Sequence, residues 1–201
     1  MITLIAFFAT LFDVVPGSVV QGLCTLSDAS SKATVAVKRL QPLESPISQR
    51  CQKNWLPFVK NNSLLAIYSY DPFTVYQVDA ESGKCKIAFQ KDYGYDFSSF
   101  RGSAAPIEFD DGYLLLIHEV VFTDQRNYTH RFVYLDKDLN VKKVSKPFTF
   151  MHKGIEYCCG MCVNHENTKL ILTIGYEDRE AHFCSIGLDA VRTLLEPLKE
   201  I

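Results

Sequence analysis

The sequence predicts an all-β fold of the β-propeller type, because one strand pattern occurs three times along the chain. Each copy joins a short strand to an apolar strand through a turn that contains Asn or Asp, over residues 56–71, 105–118 and 159–176. The apolar strand is an unbroken hydrophobic run rather than an alternation, which predicts burial on both of its faces. Stacked blades provide that environment, so we favour a propeller over a β-sandwich.

The strands that follow each hairpin complete a four-stranded antiparallel meander of about 50 residues, the size of a propeller blade. The segments that correspond in the first two copies are 75–79 with 132–136 and 84–88 with 141–144. In the third copy, residues 181–186 are followed by residues 188–195, which fit either a last strand or a short helix.

Three complete units are too few to close a propeller, which usually takes about four to eight blades. Residues 34–40 predict one more strand, from a partial blade. We therefore expect an incomplete propeller: the chain lacks a blade, assembles with another chain or derives from a longer parent.

The length of 201 residues suits one domain, which we assign to residues 33–201, after an apolar N-terminal segment and linker over residues 1–32. Residues 1–15 are apolar enough for a signal peptide or anchor, which would place the chain in the secretory pathway or outside the cell. No Lys or Arg precedes this run, and Asp13 and Pro16 interrupt it. A buried terminal strand or helix is the alternative.

Charge and cysteine usage exclude several classes of partner. The 21 basic and 23 acidic residues give a net charge of −2 without a basic block, which argues against nucleic acid and anionic membranes. The seven cysteines show no disulfide framework. Cys158, Cys159 and Cys162 lack a second Cys-x-x-Cys or His pair at zinc spacing, so we interpret them as buried strand thiols. We predict no metal and no cofactor.

The meander predicts where polar side chains converge, since it returns the end of the second strand to the face where the first strand began. The groups brought together in the three copies are Lys53, Asn54 and Trp55 with Tyr70 and Asp71; Arg101, Gly102 and Ser103 with His118 and Glu119; and Glu156 and Tyr157 with Glu177 and Asp178. Aromatic rings beside a few oriented polar groups favour a carbohydrate ligand. The alternative is an ordinary polar channel without a ligand.

Three segments resemble successive blade signatures of the five-bladed propellers of the inverting β-mannoside phosphorylases and mannosidases. These segments are Gln-Lys-Asn-Trp-Leu-Pro-Phe at 52–58, Arg-Gly-Ser-Ala-Ala-Pro-Ile at 101–107 with the apolar strand at 112–118, and Cys-Gly-Met at 159–161 with Gly-Tyr-Glu-Asp at 175–178. The resemblance covers roughly residues 51–195 and is closer still to propeller domains found alone or attached to glycosyltransferases. It implies a mannose-containing glycan and phosphate as ligands, with a glycosyltransferase or a second propeller fragment as partner.

The resemblance also implies roles for particular residues. His118 matches the histidine that in phosphorylases helps to hold phosphate, and Asp178 matches an aspartate that contacts sugar hydroxyls. Arg101 stands where a cation holds an anion or a sugar oxygen. The residues that we predict to bind substrate are Asn54, Trp55, Asp71, Arg101, His118, Tyr157 and Asp178.

Catalysis stays open at the level of sequence. The family's general acid is an aspartate in a Glu-Asp-Pro-Arg-like segment of the first blade, and residues 1–50 contain no such segment. Asp71, Glu156 and Asp178 are the remaining candidates for an acid and base pair. We therefore expect a carbohydrate-active propeller of the mannoside phosphorylase or glycoside hydrolase type. The alternatives are a noncatalytic glycan-binding domain associated with a glycosyltransferase and a protein-interaction propeller.

Overall fold

The computed structural model describes residues 6–12, 19–26, 37–49, 51 and 53–198. Within these residues the chain forms fifteen strands and one helix, and no helix is long and apolar enough to cross a membrane. The chain divides into two compact units. Unit 1 contains the described residues up to Ser69 together with Phe73–Lys91, and unit 2 contains Tyr70–Pro72 and the described residues from Asp92 onward.

Unit 1 contains two antiparallel sheets, ordered β1-β2-β3 and β4-β5-β6-β7. Their strands are β1 (Ala6–Phe12), β2 (Val19–Leu26), β3 (Val37–Pro42), β4 (Leu56–Lys60), β5 (Ser63–Tyr70), β6 (Phe73–Val78) and β7 (Cys85–Lys91). The four-stranded sheet is the meander predicted for the first copy. Its β4–β5 turn places Asn61 and Asn62 at φ values of 50° and 59°, a backbone conformation that Asn tolerates better than most residues.

The N-terminal strands bear on two predictions. β3 confirms the strand predicted over residues 34–40, of which residues 34–36 lie outside the described part of the chain. β1 pairs with β2 from Ala6 opposite Thr25 to Phe12 opposite Val19, so the described part of the apolar segment is a strand. The leader or anchor over residues 1–32 and the domain boundary at residue 33 stay predictions.

Unit 2 contains a five-stranded sheet, ordered β15-β11-β10-β9-β8, and a three-stranded sheet, ordered β12-β13-β14. Their elements are β8 (Arg101–Phe109), β9 (Gly112–Phe122), β10 (Arg126–Leu135), β11 (Val141–Ser145), β12 (Glu156–Val163), β13 (Lys169–Tyr176), β14 (Glu180–Gly187), α1 (Leu188–Leu194) and β15 (Leu195–Pro197). The two sheets enclose a common core that includes Leu116, Phe132 and Leu172. Ser103 Oγ donates a hydrogen bond of 2.5 Å to the carbonyl of Cys158, which ties β8 to β12.

The third copy departs from the repeat after β14. Residues 188–194 form the helix that the sequence left as one alternative, and β15 then pairs with β11 in the neighbouring sheet. The departure follows from burial, since Leu188, Val191 and Leu195 all lie in the core of unit 2. Arg192 also holds Asp110 in the β8–β9 turn through hydrogen bonds of 2.7 and 3.1 Å.

The prediction that the apolar strands are buried on both faces holds for β9 and fails for β13. Leu114, Leu115, Leu116 and Ile117 are all fully buried in β9. In β13 the buried residues alternate with half-buried ones, because one face of the three-stranded sheet lies away from the core.

Candidate functional site

The candidate site lies where β8, β10 and β12 begin and where β9 and β13 end, at one end of both sheets of unit 2. Arg101 stands opposite His118 in the β8–β9 register, and Glu156 stands opposite Tyr176 in the β12–β13 register. The convergence predicted for the second and third copies is therefore confirmed. We refer to this region as the Arg101–His118 end.

His118 is buried, and its imidazole contacts two tyrosines. Its ring centre is 5.4 Å from that of Tyr128 and 5.3 Å from that of Tyr157, the latter in an edge-on contact. The resulting cluster places two aromatic rings beside the imidazole, with one tyrosine from β10 and one from β12.

Burial raises the pKa of two tyrosines in this region, Tyr157 and Tyr70. Tyr157 donates a long hydrogen bond of 3.5 Å to the carbonyl of Gly102, and burial raises the pKa of Tyr157 to about 12. Tyr70 is buried against Phe100, and burial also raises the pKa of Tyr70, with Tyr157 adding to the effect. Both phenols therefore act as neutral hydrogen-bonding groups near pH 7.

Arg101, Arg131 and Glu119 take part in two separate sets of hydrogen bonds. Arg101 is exposed, and its Nη1 donates to the carbonyls of Ser98 and Phe100 at 2.6 and 2.7 Å. Arg131 donates from Nε to Glu119 at 2.6 Å, and the other oxygen of Glu119 accepts from Ser99 at 2.8 Å. Glu119 is thus paired with Arg131, while Arg101 lies exposed at the surface.

Glu156 is fully buried, and its carboxylate holds the loop that joins β11 to β12 (residues 146–155, the β11–β12 loop). It accepts hydrogen bonds from the backbone amides of Phe150, Met151 and His152 at 2.7, 2.7 and 2.8 Å. Glu177 adds a bond of 3.2 Å from the amide of Ile155. In this arrangement both oxygens of Glu156 are occupied by the backbone of the loop.

A cleft of about 600 Å³ opens between the β11–β12 loop and the projecting end of the β9–β10 hairpin. Tyr128 lines this cleft and also contacts His118, so the cleft adjoins the Arg101–His118 end. The cleft was not predicted from the sequence. The available signal was the run Val120-Val121-Phe122, whose β-branched and aromatic residues extend the hairpin beyond the last residue of β9 that pairs with β8, His118.

The two other acidic candidates in unit 2 lie in turns. Asp178 is exposed and, like Glu177, adopts a φ of 53° in the β13–β14 turn. Asp71 is exposed in the β5–β6 turn. Their assignment as acid, base or sugar ligand stays a prediction.

The two candidates in unit 1 differ in exposure. Asn54 is half-buried and has a φ of 63°. Trp55 is buried, with 4% of its surface exposed, and meets Tyr68 and Tyr76 edge-on at 5.2 and 5.4 Å. The indole is therefore part of the core of unit 1 in this structure.

The cysteines of β12 are only partly as predicted. Cys158 is buried, and burial raises the pKa of its thiol to about 12. Cys159 and Cys162 are exposed, in contrast to the expected buried thiols. Cys159 follows the buried Cys158 directly, and the register shift between Cys158 and Gly160 places Cys162 on the face opposite to that of Cys158. In the described part of the chain, no group of three or more His, Cys, Asp or Glu side chains is placed to hold a metal ion.

Comparison with known proteins identifies the fold. No family model and no curated protein matches the sequence. Among solved structures, the chain is similar to the β-1,2-mannobiose phosphorylase from Listeria innocua in complex with β-1,2-mannobiose, with a TM-score of 0.62 and 17% identity over 95% of this chain and 56% of that chain. The α-L-arabinanase from Cellvibrio cellulosa also matches, with TM-scores of 0.48 with arabinohexaose and 0.47 without it, at 11% and 10% identity, over 92% of this chain and 70% of those chains.

The chain thus spans little more than half the length of the phosphorylase that it matches. At 17% sequence identity, the structural similarity to the phosphorylase shows the fold alone. Together with the antiparallel meander sheets, it confirms the predicted fold class: the chain has an all-β fold of the β-propeller type.

Proposed function

We propose that this chain binds a glycan at the Arg101–His118 end of unit 2. The observation that supports the proposal is the packing of the His118 ring against both Tyr128 and Tyr157, with the exposed Arg101 opposite His118 in the strand register. The fold is shared with a phosphorylase whose solved structure holds β-1,2-mannobiose, so a mannose-containing glycan is the first ligand to test.

The chemistry of the cluster suits a sugar. A pyranose presents a C–H face that packs on aromatic rings and a rim of hydroxyls that need donors and acceptors. Tyr128 and Tyr157 supply ring surface, while Arg101 supplies charged donors. Asp178, exposed in the β13–β14 turn, supplies an acceptor for sugar hydroxyls.

The finer proposal is phosphorolysis or hydrolysis of a mannoside. Arg101 and His118 would hold phosphate, one oxygen of which attacks the anomeric carbon while an acid donates a proton to the departing glycosidic oxygen. Because the oxygens of Glu156 accept from three backbone amides, Asp71 and Asp178 are the stronger candidates for that acid.

A noncatalytic glycan-binding domain is the second candidate. It is favoured by the engagement of Glu156 with the loop and of Glu119 with Arg131, which leaves two carboxylates of the region committed to structural contacts. In this version the chain recognises the glycan and an associated glycosyltransferase carries out the chemistry.

Calorimetric titration with β-1,2-mannobiose tests the proposal. We expect Arg101→Ala to weaken binding about tenfold or more, because a charge-assisted hydrogen bond contributes about 1.5–3 kcal/mol. Arg39→Ala, which removes an exposed arginine from β3 in unit 1, is the matched control and should leave the Kd unchanged. Equal affinities for the wild type and Arg101→Ala, or no binding to any glycan on an array, would overturn the proposal.

An assay of sugar release by the same protein distinguishes phosphorolysis from noncatalytic glycan binding. Release of mannose 1-phosphate in the presence of orthophosphate, lost in Asp178→Asn or Asp71→Asn, indicates phosphorolysis. Binding without release of any sugar, with or without orthophosphate, indicates the noncatalytic domain.

A further inference from the structure

We propose that the cleft between the β9–β10 hairpin and the β11–β12 loop is a second glycan-contact site, which holds the sugar units that follow the one bound at the Arg101–His118 end. The inference rests on the proposed function and specifies its ligand as an oligosaccharide longer than a disaccharide. At about 600 Å³ the cleft has the size of a small-molecule site, which usually measures about 300–1,000 Å³.

The side chains of the cleft fit a neutral, hydroxyl-rich ligand. Its polar groups are mostly the hydroxyls of Thr129 and Thr149 and the amides of Gln125 and Asn127. Its charged residues are one acid, Asp124, and one base, Lys153, so the lining carries no net charge. A phosphorylated or strongly charged ligand would find no excess of countercharge here, whereas sugar hydroxyls exchange hydrogen bonds with all of these groups.

The cleft also offers apolar and aromatic surface for the C–H faces of sugar rings. Val121 and Phe148 line it from opposite sides, and Tyr128 lies between the cleft and His118. Because the ring of Tyr128 contacts the His118 ring at 5.4 Å, a linear ligand that leaves His118 passes over Tyr128 into the cleft. Tyr128 therefore connects the cleft to the Arg101–His118 end.

The wall of the cleft is held in place by backbone bonds. His130 and Phe148 exchange amide-to-carbonyl hydrogen bonds of 2.7 and 2.9 Å, and the amide of Tyr128 donates to Gly154 at 2.8 Å. Glu156 fixes the middle of the same loop. A site whose walls are already ordered loses less conformational entropy when a ligand binds.

The same bonds argue for a sugar rather than an extended peptide. A peptide that binds next to a sheet usually adds a strand to an exposed edge and bonds to its backbone. At Tyr128 and His130 the backbone amides of β10 already donate to the β11–β12 loop, to Gly154 and Phe148. Recognition in the cleft thus depends on side chains, which matches a glycan.

Titration with β-1,2-linked manno-oligosaccharides of two, three and four units tests the inference. We expect the Kd of the wild type to fall about tenfold from the disaccharide to the tetrasaccharide. Thr149→Trp, which fills the cleft, should abolish this gain and leave the Kd of the disaccharide within about twofold. Thr193→Trp on α1, at an exposed threonine that does not line the cleft, is the control and should behave as the wild type.

The results distinguish failure of the second glycan-contact site from failure of the proposed function. Equal affinity for all chain lengths, or an equal loss for the disaccharide and the tetrasaccharide in Thr149→Trp, overturns the second site and leaves the proposed function standing. If no oligosaccharide binds, both fail. If Thr149→Trp does not give a folded protein, Gln125→Trp at the exposed hairpin end of the cleft blocks the same space.

Discussion

His130 is a histidine enclosed in the core of unit 2. It is fully buried against Phe148 and Phe150, and among the described residues neither of its ring nitrogens has a hydrogen-bond partner. Burial lowers the pKa of His130 to about 3, with His118 on the neighbouring strand adding to the effect. The folded protein therefore keeps this imidazole neutral throughout the physiological range.

This burial predicts a loss of stability in mild acid. The unfolded chain takes up a proton on His130 near its ordinary pKa of about 6.5, whereas the folded chain does so only near pH 3. Between these values the unfolded state binds more protons, so the free energy of unfolding decreases as the pH falls, by at most about 1.4 kcal/mol per pH unit from this group. In His130→Phe the free energy of unfolding should therefore depend less steeply on pH, by up to about 1.4 kcal/mol per pH unit, which corresponds to one proton.

Urea denaturation from pH 7 to pH 4 measures the slope. His165→Gln, at an exposed histidine in the β12–β13 turn, is the control and should retain the slope of the wild type. A His130→Phe variant with an unchanged slope would show that carboxylates alone cause the acid sensitivity.

Individual side chains of the site were predictable from the sequence to an unequal degree. The hairpin predicted that Arg101 and His118 lie at the same end of the sheet, but not that they are direct partners. The register of the turn alone would place Arg101 opposite Val120, and two register shifts in β8, between Gly102 and Ala104 and between Ala104 and Ile107, bring it opposite His118. The engagement of Glu156 was not predictable, since it depends on the path of the β11–β12 loop, which carries no hydrophobic period. Burial of Trp55 likewise depends on its packing against Tyr68 and Tyr76, which the motif around it does not specify.

Among the elements, β9 and β13 show where a strand pattern stops being informative. Both are apolar runs, yet alternate residues of β13, such as Ile171 and Thr173, are half-buried. A run predicts that a strand tolerates burial on both faces, but whether a second layer covers a given face depends on the neighbouring sheet. The apolar pattern also does not predict the path of α1 and β15, since Leu188 and Leu195 are apolar whether residues 188–195 form a strand or a helix.

The β9 hairpin provides a second prediction, at Gly112. A Cβ at this position would clash with the carbonyl oxygen of Leu135 and approach the hydroxyl of Tyr134 to 2.8 Å. Because the carbonyl belongs to the paired strand β10, it has little room to move. We expect Gly112→Ala to lower the free energy of unfolding by about 2 kcal/mol or more.

Thermal and urea unfolding test this expectation against Gly187→Ala. A Cβ at Gly187 would meet nothing within 4 Å, so that variant should lose less than about 1 kcal/mol. Equal stabilities of the two variants would contradict the close approach of β9 and β10 at Gly112.

For the molecule as a whole, the sequence predicted an incomplete propeller, and the chain spans 56% of the phosphorylase chain that it matches. The class of fold was predictable because strand length, turn residues and apolar runs all repeat along the sequence. The return of the last strand to an earlier sheet was not, because β15 has only three residues and its partner lies far back in the chain.

The position of β15 predicts that Leu195 stabilises unit 2 and that its neighbour Leu194 does not. Leu195 is buried with 8% of its surface exposed, whereas Leu194 is 42% exposed. Leu195→Ala should therefore cost about 2–4 kcal/mol, and Leu194→Ala less than about 0.5 kcal/mol. Urea unfolding gives both values, and hydrogen exchange at Val144 and Ser145 should accelerate only in Leu195→Ala. Similar losses in the two variants would argue against this position of β15.

The pairing of β11 with β15 also constrains the order in which unit 2 assembles. Ser145 and Leu195 are partners, yet β12, β13, β14 and α1 all lie between them in the chain. Bringing these ends together costs entropy that grows only slowly, by about 0.6 kcal/mol for each doubling of the loop, and the folding of β12, β13 and β14 shortens the flexible loop that must be closed. We therefore expect β15 to join the five-stranded sheet after the local strand pairs of unit 2 have formed.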